Sequence, residues 1–372
     1  MLQDQHRLIV EALDDLIKRE VQPVAARIDT EDSFPDDAMA ALGRAGYLGS
    51  VLPKPYGAES DLLSYALCIE RVAAVSPSLA WVVVVHVSAS MAIASTGTEE
   101  QRERFLPRLA TGESLASFAF TETHAGADFF AVQCTARATE GEYRVEGAKT
   151  FISLADRADL FVTLAATERE GERVGPSMLV IERECDGFGV GSPLRGMGMR
   201  GIAWGELVFT RCCVPADNLL GTEGKGTRVV FGMAGPYLLG AAALALGIAS
   251  GAYELTRLHL QERKVNDKPI GELEALQFRM ADLSAKVEAA RALVYRACGE
   301  QDPRSFMPFQ AKLFASEIAL DVTRAAVQLN GAAGYTDGSH IQRLARDAFA
   351  MTLHFENNDF LRRFLGRSLV GS

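Results

Sequence analysis

The chain has 372 residues, 48% hydrophobic and 23% charged, with a net charge of −10 and a pI near 5.3. Such a length predicts two or three packed units with a sizeable buried interior, and such a composition excludes a disordered or fibrous chain. The acidic balance argues against a nucleic-acid surface.

The first ten residues, Met1–Val10, lack a basic region followed by an apolar run, so no secretory signal is read there and a cytoplasmic location is expected. From Asp4 to about Leu115 the pattern is helical, with Leu8, Leu13, Leu16 and Ile17 at helix spacing. Ser33 and Asp36 or Asp37, around Phe34-Pro35, read as the start of a helix running through Met39, Leu42 and Leu48. The most apolar stretches, Leu79–Val87 and Leu238–Ala249, are shorter than a bilayer span, so no membrane segment is expected.

Between about Ala116 and Leu220 short apolar runs alternate with Gly, Asp and Pro: Phe118–Phe120, Tyr143–Val145, Leu160–Ala165, Ser177–Ile181 and Glu206–Phe209. These predict strands, with turns at Glu140-Gly141-Glu142 and Glu146-Gly147. From Gly226 onward long periodic stretches return, broken at Asn266–Pro269, Asp302-Pro303 and Gly331–Gly338, which reads as four long helices in an antiparallel bundle. The expectation is an α+β multidomain chain: a helical domain over 1–115, a β-sandwich or barrel over 116–222, and a four-helix bundle over 223–372. Six cysteines are scattered without the spacing of a zinc site or a disulfide framework, so buried free thiols and no metal are expected. Adjacent Cys212 and Cys213 would point to opposite sides of a strand.

Specific stretches in all three units resemble the acyl-CoA dehydrogenase family. Phe118-Ala119-Phe120-Thr121-Glu122-Thr123-His124-Ala125-Gly126-Ala127-Asp128 is similar to the family's T-E-P-x-A-G-S-D segment, and Gly147-Ala148-Lys149-Thr150-Phe151-Ile152-Ser153 to its G-x-K-x-W-I-T segment. Leu194–Gly201, with its Gly-Met-Gly-Met-Arg-Gly run, and Val214–Gly221 also match family segments. In the bundle, Gln261-Glu262-Arg263-Lys264 with Pro269-Ile270 resembles R-x-x-F-G-x-P-I. Gln328-Leu329-Asn330-Gly331-Ala332-Ala333-Gly334-Tyr335 resembles Q-x-x-G-G-x-G-Y, and Arg346-Asp347 stands for the family's R-D pair.

The resemblance implies FAD, bound where the β domain meets the bundle. An isoalloxazine ring needs an apolar or aromatic wall and a few polar groups for its nitrogens and oxygens. The implied contacts are Phe118, Phe120, Thr121, Gly126, Ala127, Phe151, Ser153 and Asn357, where Phe151, Ser153 and Ala127 replace the family's Trp, Thr and Ser. Arg263 is the implied diphosphate ligand of a neighbouring subunit's FAD, and Gln328, Gly331 and Ala332 approach its adenosine half, so a homodimer or homotetramer is implied. Asn266 and Asp267 stand where the family has Phe and Gly.

The family's reaction is removal of an α-proton by a glutamate as the β-hydride passes to the flavin. Matched without a gap from Arg346-Asp347, the base position falls on Phe355; the alternative position of some relatives, matched through Gly247, falls on Tyr237, with Leu238 in the neighbouring place where the family has Arg. Three readings stay open at this point. A one-residue slip near His354 would bring in Glu356 as the base of an ordinary dehydrogenase. The oxygen-using branch of the fold, a flavin-dependent monooxygenase, needs no α-base, and His354 and the Phe364–Gly371 ending are loosely like it. A base-less subunit of a mixed oligomer is the third. The expected function is FAD-dependent α,β-dehydrogenation of an acyl-CoA or acyl-carrier-protein thioester in fatty acid metabolism, with Glu356 as base and an electron-transferring flavoprotein as electron acceptor.

Overall fold

Asp61 and Ser76 precede apolar runs and Thr98 a charged one, Glu99–Arg104, and each caps a helix with its side-chain oxygen, satisfying amides that the helix itself leaves open. The computed structural model describes residues 3–126, 128–300, 302, 305–354 and 356–371; Ala127 and Phe355, both singled out above, lie outside the described residues. The first unit comprises α1 (Asp4–Leu16), α2 (Ala25–Glu31), α3 (Asp36–Arg44), α4 (Leu62–Ala73), α5 (Pro77–Thr96) and α6 (Glu99–Thr111). α3 begins where the sequence predicts but stops at Arg44, because Gly46 turns the chain with φ +80°; Leu48 is buried beyond the helix rather than in it.

The second unit holds β1 (Ala116–Ala119), β2 (Thr135–Ala138), β3 (Glu142–Ile152), β4 (Leu160–Arg169), β5 (Glu172–Glu182), β6 (Phe188–Pro193), β7 (Gly205–Pro215) and β8 (Leu219–Leu220). They form one hydrogen-bonded sheet with the order β6-β7-β3-β2-β4-β5-β8. One edge of β4 is divided: its first four residues pair with β1 and its last four with β2, both in parallel. Gly141 lies in a turn, but Gly147 does not. It sits inside β3 at φ +136°, where the register against β7 shifts, so the glycine signal there marks a bulge. Cys212 is buried and Cys213 half-buried, as alternation requires, and all the cysteines are free thiols. Among the described residues no metal-ligating cluster is present.

The third unit is α7 (Gly226–Glu262), a short hairpin of β9 (Lys264–Val265) and β10 (Lys268–Pro269), α8 (Glu274–Cys298), α9 (Met307–Tyr335), α10 (His340–Leu353) and α11 (Asn358–Val370). Among the described residues the bundle thus has a fifth helix beyond the four expected, started by the Asn357 side chain, which accepts from the Phe360 amide. α5 and α7 are each long and apolar enough to cross a membrane, contrary to the sequence expectation, yet 78% of each apolar stretch is buried inside the protein. They are apolar all round because neighbours cover them on every side. Gly251 of α7 lets α4 approach so closely that a methyl group there would meet the Ala74 carbonyl oxygen at 2.5 Å. This contact fixes the bundle against the first unit, and the site lies where both meet the sheet.

Candidate active site

The two β-domain motifs are joined by an ion pair. Lys149, fully buried in β3, donates to Glu122 at 2.7 Å and to the Phe120 carbonyl at 3.1 Å. The Glu122 carboxylate also accepts from the amides of Gln133 and Cys134. Charge in a dry interior requires this degree of pairing, and the result is a rigid edge on which Phe120 and Thr121 are presented. The Thr150 amide bonds back to the Thr121 carbonyl at 2.9 Å.

Beside that edge the end of β3 is wrenched. Phe151 and Leu154 both take left-handed φ of +55°, a conformation that persists in non-glycine residues only where surroundings enforce it. Here the Leu154 and Ala155 amides bond to the Ile202 and Ala203 carbonyls. Ser153 is held from two sides: its carbonyl accepts from the Ser117 hydroxyl at 2.7 Å, and its hydroxyl oxygen accepts from the indole N–H of Trp81 on α5 at 2.9 Å. With one lone pair taken by the indole, the Ser153 hydroxyl still has its proton to donate.

These residues line a cavity of about 530 Å³ between sheet and bundle. Phe118, Phe120, Thr121, Gly126, Phe151, Ser153 and Asn357 all lie on it, together with Tyr237, His354 and residues of α10. Arg263, Gln328, Gly331 and Ala332 do not; they are exposed elsewhere on the bundle. Gly331 takes φ +62°, ψ −145° at the kink that divides α9, a backbone conformation open essentially to glycine alone. Ala127 and Phe355 fall outside the described residues.

Glu356 is not on the cavity wall. It is buried, its main-chain carbonyl accepting from Lys312 at 2.7 Å, while Asn358 accepts from the same ammonium at 2.9 Å. One carboxylate oxygen of Glu356 has no partner among the described residues. Burial raises its pKa to about 7, opposed by the charge of Lys312, and the same burial lowers that of Lys312 to about 8. Among the described residues no aspartate or glutamate lines the cavity. Tyr237 does; it is fully buried, and burial with the nearby Glu356 charge holds its phenol protonated.

Arg346 and Asp347 do not pair with each other as a helix salt bridge. Arg346 bonds Asp29 of α2 at 2.5 Å and the Met197 carbonyl at 2.7 Å, and Asp347 accepts from the Met199 amide at 2.6 Å. The glycine-rich 194–201 segment is therefore pinned to α10 instead of being a solvated loop. Gly198 packs on Arg346 and Asp347, and Met197 joins the cavity wall.

Sequence reasoning missed Trp81 and Trp204, the only tryptophans in the chain, both on the cavity. A tryptophan in an otherwise aliphatic helix was the available signal, since a buried indole N–H needs an acceptor. Trp81 finds one in Ser153, whereas the buried N–H of Trp204 has none among the described residues.

Models of the acyl-CoA dehydrogenase N-terminal, middle and C-terminal domains match residues 3–113, 117–212 and 224–370. The chain is 35% identical over 349 residues to a short-chain-specific acyl-CoA dehydrogenase of Clostridium acetobutylicum, covering 92% of both chains. The butyryl-CoA dehydrogenase structure of Megasphaera elsdenii superimposes with a TM-score of 0.95 at 30% identity, over 100% of this chain and 99% of that one. A structure from a study of the electron transferring flavoprotein of Acidaminococcus fermentans gives 0.96 at 32%, over 100% and 99%.

Proposed function

The chain belongs to the acyl-CoA dehydrogenase family, and from that premise we infer that it is an FAD-dependent oxidoreductase that introduces an α,β-double bond into an acyl thioester. The observation that carries this is the cavity itself. Phe151, Met197, Phe349 and Leu353, all on its wall, are 61%, 56%, 49% and 71% exposed, an apolar surface of the kind that a planar ring and an acyl chain would cover. Thr121 and Ser153 offer hydroxyl groups at the same wall, and the orphaned Trp204 N–H lies beside it. The residues present fit an isoalloxazine ring.

Bound there, FAD supplies the two-electron acceptor for the β-hydrogen. The chain's own residues do the rest. Phe118, Phe120 and Phe151 exclude water from the reacting carbons, and Ser153, held by Trp81, orients a hydroxyl proton toward the cofactor.

Arg263, Gln328, Gly331 and Ala332, remote from the cavity of their own chain, serve the FAD of a second copy in a homodimer or homotetramer. Support comes from the exposed apolar side chains of Val265, Leu273 and Phe278, 54%, 58% and 62% accessible, which follow Arg263 along the chain. An electron-transferring flavoprotein drains the reduced cofactor, a reading supported by the likeness to the structure from the Acidaminococcus fermentans study.

The test is anaerobic mixing of the FAD-loaded protein with a panel of saturated acyl-CoAs while the visible flavin absorbance is followed. Bleaching by a member of the panel is expected; absence of bleaching with every CoA and carrier-protein thioester would refute the assignment.

A further inference from the structure

A dehydrogenation at this cavity needs a group that takes the α-proton, and the carboxylate expected from sequence is not on its wall. The side chains that are there leave few choices. Arg346 is a permanent cation engaged with Asp29, Gln342 and the Met197 carbonyl, and Tyr237 is a phenol held protonated by burial. Serine, threonine and asparagine are far too weak as bases. Ala127 and Phe355 carry no titratable group.

His354 is different. It follows the last residue of α10 on extended backbone, at φ −74° and ψ 150°, and lies on the cavity. Its ring touches the indoles of Trp81, with centroids 4.7 Å apart and planes at 43°, and of Trp204, at 5.1 Å and 38°. No described residue hydrogen-bonds either ring nitrogen.

Resting on the function inferred above, we propose that His354 is the catalytic base, its imidazole accepting the α-proton of the thioester in place of a glutamate. The α C–H bond breaks with its proton passing to a ring nitrogen of His354. The electron pair left on carbon becomes the new π bond as the β-hydrogen departs with its own pair to the flavin. Burial, helped by the charge of Lys312, holds the imidazole pKa down at about 4, so the ring stands neutral at physiological pH while the site resists the cation it forms. The two indoles, whose π-systems favour a cation at this range, offset part of that penalty. Neither effect requires a carboxylate in the pocket.

The test uses two readouts on the FAD-loaded protein: the rate of anaerobic bleaching by an active acyl-CoA, and the exchange of its α-hydrogens with D2O, followed by mass spectrometry. A positioned general base is worth about 10²- to 10⁴-fold, so His354→Gln is expected to lower both rates at least about 100-fold while still retaining FAD. His354→Asp, which restores a proton acceptor, should recover exchange. Should His354→Gln fail to retain FAD, recovery of exchange in FAD-loaded His354→Asp decides the matter, and a dead His354→Asp that holds FAD counts against the proposal. Wild-type protein that bleaches while His354→Gln bleaches and exchanges equally well overturns the base and leaves the dehydrogenase intact. So does loss of exchange in Glu356→Gln alone. A wild type that neither bleaches nor exchanges overturns both.

Discussion

Replacing Lys149 with methionine keeps the length and apolar stem of the side chain but removes its charge. In the folded protein Lys149 has no exposure, and the Glu122 carboxylate it neutralises is only 7% accessible. Without the ammonium, Glu122 keeps two backbone amide donors but becomes a buried, unpaired charge, and the Phe120 carbonyl loses its donor. Breaking a buried pair by removing one partner costs about 3–5 kcal/mol. Lys149→Met should therefore lose that much stability in urea unfolding followed by circular dichroism, and should release FAD on gel filtration because Phe120 and Thr121 no longer hold their edge. The double variant Lys149→Met, Glu122→Gln removes the stranded charge as well and should recover a large part of the loss. A single variant within about 1 kcal/mol of wild type, or a double variant no better than the single, would refute the reasoning.

His86 accepts from the Ala116 amide and bonds the Leu109 carbonyl, and burial lowers its pKa to about 4. Between about pH 6.5 and 4 the unfolded chain binds a proton there that the folded one does not, so stability from this group falls as pH falls, by about 3 kcal/mol at most. Asp347 and Glu356, with pKa values raised to about 6 and about 7 by burial, act in the opposite sense. Comparison of His86→Gln with wild type isolates the effect: the variant should gain relative stability on acidification, and a pH-independent difference would count against it. At Gly198 an added methyl would stand 2.6 Å from the Arg346 carbonyl carbon and 2.7 Å from the Asp347 carboxylate. Gly198→Ala should cost about 1–3 kcal/mol and weaken FAD retention, both measurable in the same unfolding and filtration assays.

The motif residues of the β domain were legible as a site because their spacing is local: Phe118 through Gly126 and Phe151 through Ser153 reach one wall through two neighbouring strand ends. What the motifs did not show is why their Glu and Lys are present. Glu122 and Lys149 are 27 residues apart, and only the fold makes them a buried pair. The direction of Glu356 was illegible for the same reason. Lys312, 44 residues earlier, holds its carbonyl, and Asn358 is tied to Lys312, Ser316 and Glu317. A one-residue slip looks harmless in a linear comparison, but those bonds fix which side chain reaches the cavity. Gly147 was misread as a turn because a bulge inside a strand carries the same glycine signal.

Trp81 and Trp204 are parts of the cavity wall and neighbours of the His354 imidazole. They are also the protein's entire complement of indole emitters. Its tryptophan fluorescence, excited at the red edge where tyrosine does not absorb, therefore originates wholly at the cavity. A flavin or a thioester entering would register directly as quenching or a spectral shift, so occupancy can be titrated on the unlabelled chain, separately from unfolding and before any turnover is sought.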